Sequence, residues 1–217
     1  MNVLELNNVS HFLFDYDGLL VDSEKLYFET WCLVLTEEGQ QVCHEYHEGK
    51  HESEVYEKVK RYLKEPMSLE EVSLCRKTQF DKLTVEGKLE LIKGMKQLLE
   101  VLSSIAPMSI VSNSTIDVVK EGLLSTGVHD YFGNLFCYST KVNRKPSPDL
   151  YNLAVDSLSL EKSTIWALED SKSGILSAQE AGVPVICINP TSSMKNFCTD
   201  DNVPYFSSVA EFLAKIS

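Results

Sequence analysis

The stretch FLFDYDGLLVDSE, from Phe12 to Glu24, joins two features that oppose each other. An apolar run leads directly into two carboxylates, Asp15 and Asp17, and Gly18 follows them. Like charges that lie close together disfavour the ionised state unless a cation or hydrogen-bond donors offset their repulsion. The pattern therefore indicates a buried strand with functional carboxylates at its carboxyl end.

Four more short apolar runs follow, each bounded by turn residues: MSIVS (Met108–Ser112), LFCY (Leu135–Tyr138), IWALE (Ile165–Glu169) and VPVICI (Val183–Ile188). Continuous apolar runs are typical of strands that are covered on both faces, as in a parallel sheet. Helical patterns with capping residues lie between the runs, at Gly94–Ile105, Ser114–Gly127 and Ser171–Gly182. Strands that alternate with helices predict a doubly wound, Rossmann-like α/β core with a parallel sheet.

One segment breaks this alternation. Between Glu24 and Ile92 the sequence shows helical patterns and no convincing strand. A block of roughly 65 residues is too long for a simple crossover between two strands. We therefore predict an inserted α-helical cap domain at 23–92, and a catalytic α/β core at 1–22 and 93–217.

The composition limits the kinds of partner. The chain has 217 residues and a formal net charge of −12, and a negative surface repels nucleic acid and anionic lipid. No apolar run approaches the roughly 20 residues that span a bilayer, and the amino-terminal stretch has no signal-like basic region. Six cysteines occur without a C-x-x-C pair, which is typical of reduced thiols. We expect a cytoplasmic monomer that binds neither nucleic acid nor membrane.

Polar side chains follow four of the predicted strands. Ligands in open α/β sheets bind beyond the carboxyl ends of the strands, so we expect these side chains to meet there. They are Asp15 and Asp17 after the first strand, Ser112 and Asn113 after the second, Lys145 in the loop after the third, and Glu169 and Asp170 at the end of the fourth.

This set of side chains is typical of phosphoryl transfer. Mg²⁺ prefers hard oxygen ligands, and Asp15 and Asp170, with Glu169 close by, offer them. A metal ion would offset the repulsion between the acids and a phosphate. Lys145 supplies a positive charge for the transferring group, and the Ser112 hydroxyl can donate to its oxygens. We expect Asp15 to attack phosphorus and to form an aspartyl-phosphate.

The second aspartate has a separate predicted role. Asp17 lies past the strand end, where it could protonate the leaving alcohol and later deprotonate the attacking water. Its backbone carbonyl could also bind the metal. Gly18 permits a tight turn that brings this loop over the site. We predict further substrate contacts from Gly18 and Asn113.

At these residues the sequence resembles the haloacid dehalogenase-like superfamily. DYDGLLVDSE matches its first motif, DxDGxxxDS, and SNS (Ser112–Ser114) matches the second. KPSPDLY, which begins at Lys145, matches the third motif, and EDSKSGILSAQEAG (Glu169–Gly182) matches the fourth. The four motifs occur in the family's order, and the insertion is similar to the helical cap of the phosphoglucomutase-like subfamily.

The resemblance implies a Mg²⁺-dependent phosphatase or phosphomutase. It implies that Asp15 is the nucleophile and a metal ligand, and that Asp17 is the acid and base with its carbonyl on the metal. It also implies that Ser112 and Lys145 bind the phosphoryl group, and that Asp170 completes the metal site with Glu169, directly or through water. Metal-free dehalogenases of the superfamily use one aspartate, so Asp17 and the Glu169–Asp170 pair argue against that activity.

Two departures weaken the β-phosphoglucomutase alternative. Tyr27 stands where that enzyme has a cap histidine, and Thr115 stands where it has a lysine. The segment APMSIVSNS (Ala106–Ser114) looks more like the sugar-phosphate phosphatase branch, which includes bacterial 6-phosphogluconate phosphatase. We therefore predict hydrolysis of a small phosphate monoester, a phosphosugar or a sugar-acid phosphate.

Two non-enzymatic alternatives remain less favoured. A phospho-aspartate signalling module would carry its reactive aspartate on the third strand and lack a cap, and a catalytically dead binding protein would not need Asp15, Asp17 and Lys145 intact.

The insertion contains two further candidate groups. Cys43, His44, His47 and His51 suggest zinc, but their spacing fits no common zinc site. The loop EGKHES (Glu48–Ser53) is similar to the cap loop that contacts substrate in related phosphatases. Lys50 and His51 are therefore candidate substrate-binding residues that set specificity.

Overall fold

The computed structural model describes residues 6–47, 52–189 and 192–216. The chain divides into two compact units, one formed by Met1–Val21 with Leu91–Ser217 and the other by Asp22–Glu90. Within the described residues, no helix is both long enough and apolar enough to cross a membrane.

The first unit is built on a six-stranded sheet in which every strand pair is parallel. The strands are β1 (His11–Phe14), β2 (Met108–Thr115), β3 (Phe132–Tyr138), β4 (Ile165–Glu169), β5 (Val185–Ile188) and β6 (Tyr205–Phe206). Their order in the sheet is β3-β2-β1-β4-β5-β6. The chain thus winds outward in both directions from β1, which confirms the predicted doubly wound α/β fold.

The helices alternate with these strands and also make up the second unit. They are α1 (Ser23–Val34), α2 (Glu37–His44), α3 (Glu52–Val59), α4 (Leu69–Val85), α5 (Met95–Ser103), α6 (Ile116–Ser125), α7 (Asp149–Leu158), α8 (Lys172–Glu180), α9 (Ser192–Asp200) and α10 (Val209–Ile216).

The central strand β1 explains the apolar run of the opening stretch. Phe12, Leu13 and Phe14 are fully buried, and β1 pairs with β2 on one side and β4 on the other. A strand that is paired at both edges and covered on both faces disfavours a charged side chain within it. The first carboxylate therefore appears only where the strand ends, at Asp15.

The predicted elements differ from the observed ones mainly at their ends. β2 continues three residues beyond the predicted Ser112, to Thr115, and β3 begins at Phe132 rather than at Leu135. The short strand β6 was not predicted, because two residues are too few to show a periodic pattern. The helix α8 begins after Ser171, whose hydroxyl accepts a hydrogen bond from the Gly174 N–H at 3.1 Å, as expected of a capping residue.

The second unit consists of α1 to α4 around a small apolar cluster. Trp31, Leu35, Val59 and Val72 belong to this cluster and are almost fully buried. The Arg76 guanidinium is also buried. Burial of an unpaired charge is unfavourable, and the contacts of Arg76 offset that cost. Its guanidinium carbon lies 3.9 Å from the centre of the Trp31 ring.

Hydrogen bonds complete the surroundings of Arg76. It donates to the Thr30 hydroxyl at 3.1 Å and forms an ion pair with Glu52. The Glu52 carboxylate also accepts a 2.7 Å bond from the Ser73 hydroxyl. These contacts connect α1, α3 and α4 around one buried cation.

The structure gives no support to the zinc alternative. His47 uses Nδ1 to contact the Cys43 carbonyl at 3.0 Å, and the rings of His44 and His47 pack against Phe28. Among the described residues, the group of acids, histidines and cysteines close enough to hold a metal lies elsewhere and contains none of these three. His51 lies outside the described residues.

All six cysteines are free thiols, in agreement with the expectation of a reduced chain. Cys43, Cys187 and Cys198 are buried, whereas Cys75 on α4 is exposed. Burial raises the pKa of the Cys43 thiol to about 12, and it likewise raises the pKa of Cys137 to about 12, with the Asp17 charge adding to the effect.

Candidate active site

The loop after β1 turns sharply back on itself. The Asp15 N–H donates to the Leu168 carbonyl at 3.0 Å, so this residue still follows the sheet. Gly18 has φ +80°, a left-handed conformation that glycine adopts without strain, and its N–H donates to the Val21 carbonyl at 3.0 Å. A Cβ atom at Gly18 would overlap the Asp170 carboxylate. The loop therefore requires glycine for both its backbone angle and its space.

Lys145 is buried and donates every proton of its ammonium group to the protein. It bonds Asp15 Oδ1 at 2.8 Å, the Val111 carbonyl at 2.7 Å and Glu169 Oε1 at 2.6 Å. Burial by itself would lower the pKa of Lys145, but the carboxylates of Asp15 and Glu169 outweigh that effect and raise it. Lys145 therefore stays charged and joins β1, β2 and β4 at their carboxyl ends.

Asn113 fixes the backbone of Lys145. The Lys145 N–H donates to Asn113 Oδ1 at 2.7 Å, and Asn113 Nδ2 donates to the Lys145 carbonyl at 3.3 Å. Both ends of this amide are thus engaged with the loop after β3. The predicted contact between Asn113 and a substrate stays a prediction.

A second polar group joins β2 to the loop after β1. The Ser112 hydroxyl is buried and accepts a bond from the Ser114 N–H at 2.9 Å. The Ser114 hydroxyl donates to Asp17 Oδ2 at 2.7 Å. Sequence reasoning placed Ser112 among the candidate site residues and missed Ser114. The S-x-S spacing was the available signal, since residues two apart on a strand point to the same face.

Three acids form a compact cluster beside Lys145. One carboxylate oxygen from each of Asp15, Glu169 and Asp170 lies within 4.8 Å of the others. Glu169 Oε2 and Asp170 Oδ1 are buried and have no hydrogen-bond partner among the described residues. Buried polar atoms usually have partners, and these two belong to carboxylates that are close enough together to share a cation.

The electrostatics of the cluster also favour a bound cation. Burial, reinforced by the Asp15 charge, raises the pKa of Glu169 to about 7. Burial with the charges of Asp15 and Glu169 raises the pKa of Asp170 well above its ordinary range. The ionised cluster is thus unfavourable when metal-free. The donors are hard oxygens, which fit a divalent cation of the Mg²⁺ type.

Two predicted site residues, Lys50 and His51, lie outside the described residues, so the structure does not test their roles. For Asp17, the described contact is that of its carboxylate with Ser114, and binding of metal by its carbonyl stays a prediction.

Comparison with known proteins identifies the family. The family model for haloacid dehalogenase-like hydrolases matches residues 12–188, a span that includes all four motifs. This chain belongs to that family. The match confirms the resemblance that the motifs indicated.

Two relatives of this hydrolase are named as phosphatases. A Drosophila melanogaster protein named "Probable pseudouridine-5'-phosphatase" is 28% identical over an alignment of 221 positions, gaps included, that covers 95% of this chain and 93% of that protein. A Thermotoga maritima "Phosphorylated carbohydrates phosphatase" is 28% identical over an alignment of 179 positions that covers 79% of this chain and 81% of that protein. Together with the family match, these relatives confirm the predicted enzyme class, a phosphoric monoester hydrolase.

A solved structure supports the fold of this hydrolase. A candidate beta-phosphoglucomutase from Thermotoga maritima superposes with a TM-score of 0.71 at 25% identity, covering 87% of this chain and 91% of that chain.

Proposed function

We propose that this hydrolase cleaves a small phosphate monoester, a phosphosugar or sugar-acid phosphate of the 6-phosphogluconate kind, through an aspartyl-phosphate on Asp15 and with Mg²⁺ as cofactor. One observation carries the proposal: Lys145, in the loop after β3, lies between Asp15 and Glu169 in a buried site at the carboxyl ends of β1, β2 and β4. A buried lysine beside a cluster of acids can stabilise the negative charge of a phosphoryl group during its transfer.

The first step transfers the phosphoryl group to the protein. A carboxylate oxygen of Asp15 attacks phosphorus in line, and the bond from phosphorus to the ester oxygen breaks. Asp17 gives its proton to the leaving oxygen, which departs as an alcohol. Lys145 and the Ser112 hydroxyl bind the phosphoryl oxygens and stabilise the charge that develops on them.

The second step returns the protein to its starting state. Asp17, now a carboxylate, takes a proton from water, and the water oxygen attacks phosphorus. The bond between phosphorus and Asp15 breaks, so inorganic phosphate leaves and the Asp15 carboxylate is restored. Asp17 therefore acts as an acid in one half of the reaction and as a base in the other.

The carboxylates of Asp15, Glu169 and Asp170, with the Asp17 carbonyl, would hold the metal ion. When bound, a divalent cation offsets the negative charges of the acids and of the phosphoryl oxygens. The two unpartnered oxygens, on Glu169 and Asp170, support this assignment.

The names of the relatives support the substrate class. One is named for a nucleoside phosphate and another for phosphorylated carbohydrates, and both names describe a sugar that carries a phosphate ester. Lys50 and His51 are proposed to choose among such substrates. The remaining expectations, a cytoplasmic monomer without nucleic-acid or membrane partners, belong to the same proposal.

A phosphomutase is the second candidate, because a structural neighbour is a candidate beta-phosphoglucomutase. Tyr27 and Thr115 stand where that enzyme has the histidine and the lysine, and they disfavour this alternative. The product distinguishes the two: a phosphatase releases inorganic phosphate, whereas a mutase returns an isomeric hexose phosphate.

A phosphate-release screen over phosphorylated sugars and sugar acids, with Mg²⁺ and with a chelator, tests the proposal. We expect Mg²⁺-dependent release from the wild type and none from Asp15→Asn, whose fold should be unchanged. Asp156→Asn, an exposed aspartate on α7, serves as the matched control and should retain full activity. Substantial Mg²⁺-dependent release by Asp15→Asn would refute the assignment of the nucleophile.

A further inference from the structure

Tyr151 is a polar group in the core that the proposed reaction does not use. It lies on α7, it is fully buried, and its hydroxyl donates to Glu169 Oε1 at 2.5 Å. Its ring also packs near Lys145, whose Nζ lies 5.3 Å from the ring centre. A buried tyrosine hydroxyl usually has a hydrogen-bond partner. The partner of Tyr151 is a carboxylate of the candidate metal site.

The two oxygens of Glu169 have unequal surroundings. Oε1 accepts from both Tyr151 and Lys145, whereas Oε2 has no partner among the described residues. The helix α8 limits the carboxylate further, since a Cβ atom at Gly174 would overlap it. Glu169 is therefore held by the two hydrogen bonds to Oε1 and by the close approach of the Gly174 backbone to Oε2.

The hydrogen bonds of Lys145 suggest why Glu169 needs a second donor, Tyr151. An ammonium group has three protons, and Lys145 uses them on Asp15, Glu169 and the Val111 carbonyl. To donate to an incoming phosphoryl oxygen, Lys145 must release one of these partners. If it releases Glu169, the hydrogen bond from Tyr151 is the one that remains on Oε1.

We propose that Tyr151 is a positioning residue that keeps Glu169 in place for the metal ion while Lys145 exchanges a protein partner for the phosphoryl group. This inference rests on the proposed function, and it adds a residue outside the predicted site. Partners of metal ligands typically change metal affinity by 10- to 100-fold when they are removed. Tyr151 should matter most when a phosphoryl group occupies Lys145.

The Tyr151→Phe variant tests this inference, because it removes the hydroxyl and keeps the ring beside Lys145. Calorimetric titration of the full chain with Mg²⁺ should give a Kd about tenfold higher in Tyr151→Phe than in the wild type. The ratio should increase when inorganic phosphate is present. Tyr205→Phe is the matched control, since Tyr205 packs against the same apolar cluster as Tyr151 and should leave Mg²⁺ binding unchanged.

A measurement on the wild type makes the test independent of the folding of the variant. The Tyr151 hydroxyl proton should give a slowly exchanging, downfield NMR resonance that persists when Mg²⁺ and phosphate are added. Loss of that resonance on their addition, or equal Mg²⁺ affinity of Tyr151→Phe and wild type with and without phosphate, would overturn the inference. Wild type that binds no Mg²⁺ would overturn both proposals. Mg²⁺ binding without release of phosphate from any ester would contradict the proposed function alone.

Discussion

The Ser114 hydroxyl donates a 2.7 Å hydrogen bond to Asp17 Oδ2 across a sequence separation of 97 residues. The bond fixes one oxygen of the proposed acid and base relative to β2, the strand that also carries Ser112. A general acid must lie within hydrogen-bond reach of the leaving oxygen, so the position of the Asp17 carboxylate decides how well it can act.

Removal of this bond should affect substrates according to their leaving group. In Ser114→Ala, we expect the first turnover of an alkyl phosphate to slow by about tenfold, a part of the roughly 10²- to 10⁴-fold that a positioned acid contributes. p-Nitrophenyl phosphate should slow much less, because its leaving group departs without protonation. Rapid-quench measurement of alcohol release gives both rates, and equal losses on the two substrates would exclude this role for Ser114.

Gly18 allows a test of the space beside Asp170. Gly18→Ala should abolish Mg²⁺ binding and lower activity by more than about 100-fold, because the added Cβ overlaps the Asp170 carboxylate. Gly127→Ala is the matched control, since Gly127 also has a positive φ but nothing within 4 Å of an added Cβ. It should lose about 1–2 kcal/mol of stability from backbone strain alone. Titration with Mg²⁺ and urea unfolding separate the two effects.

Metal binding should stabilise the folded chain. A ligand that binds only the native state at about 100 times its Kd adds about 2.7 kcal/mol to the free energy of unfolding. We expect Mg²⁺ to raise the melting temperature of the wild type and of Asp156→Asn, and to leave that of Asp170→Asn unchanged. The assignment of Asp170 to the metal site fails if Mg²⁺ stabilises Asp170→Asn as much as it does the wild type.

His11 should make the protein sensitive to acid. It is buried beside Ser109, with Nε2 2.8 Å from the serine hydroxyl, and burial lowers its pKa from the ordinary 6.5. The unfolded chain therefore takes up a proton near 6.5 while the folded chain does not. Stability that is present above this pH is lost as the pH falls towards the lower pKa of the folded state.

Urea unfolding at pH values from about 8 to about 5 measures this effect. His11→Gln should show a shallower loss of stability below the ordinary pKa than the wild type does. His129→Gln, which replaces a histidine with an exposed side chain, should follow the wild type. Identical pH dependence in His11→Gln and wild type would contradict the prediction.

The proposed specificity residues predict a change in KM. Lys50→Ala should raise KM for the best sugar phosphate by about tenfold with a smaller change in kcat, the result expected when uniform binding is removed. Lys88→Ala, which replaces an exposed lysine of the second unit, should leave both constants unchanged. A loss confined to kcat would assign Lys50 to the chemical step instead.

Much of the fold could be predicted because its signals are local. The apolar runs of β1 and β4 reflect burial on both faces, and each lies within a few residues of an acid, so strand and strand end are read together. The strand β6 could not be predicted, because Tyr205 and Phe206 are extended through their pairing with β5 and show no strand pattern of their own.

The candidate site also has a part that the sequence predicts and a part that only the structure shows. Residues such as Asp15 and Lys145 could be named because their type and their place after a strand suffice. The bonds from Ser114 to Asp17 and from Tyr151 to Glu169 could not, because they depend on side-chain distances between segments that are remote in sequence. Motif reasoning predicts the reacting groups, whereas the contacts that would orient them are seen only in the folded chain.

The second unit has an exposed thiol, Cys75, that can be labelled chemically. Maleimides and iodoacetamides react with the thiolate form, so burial and raised pKa protect Cys43 and Cys137. Cys75 is exposed on α4 and should accept a fluorophore or spin label first. A probe attached there would mark α4 of the second unit at a native cysteine, with no engineered substitution.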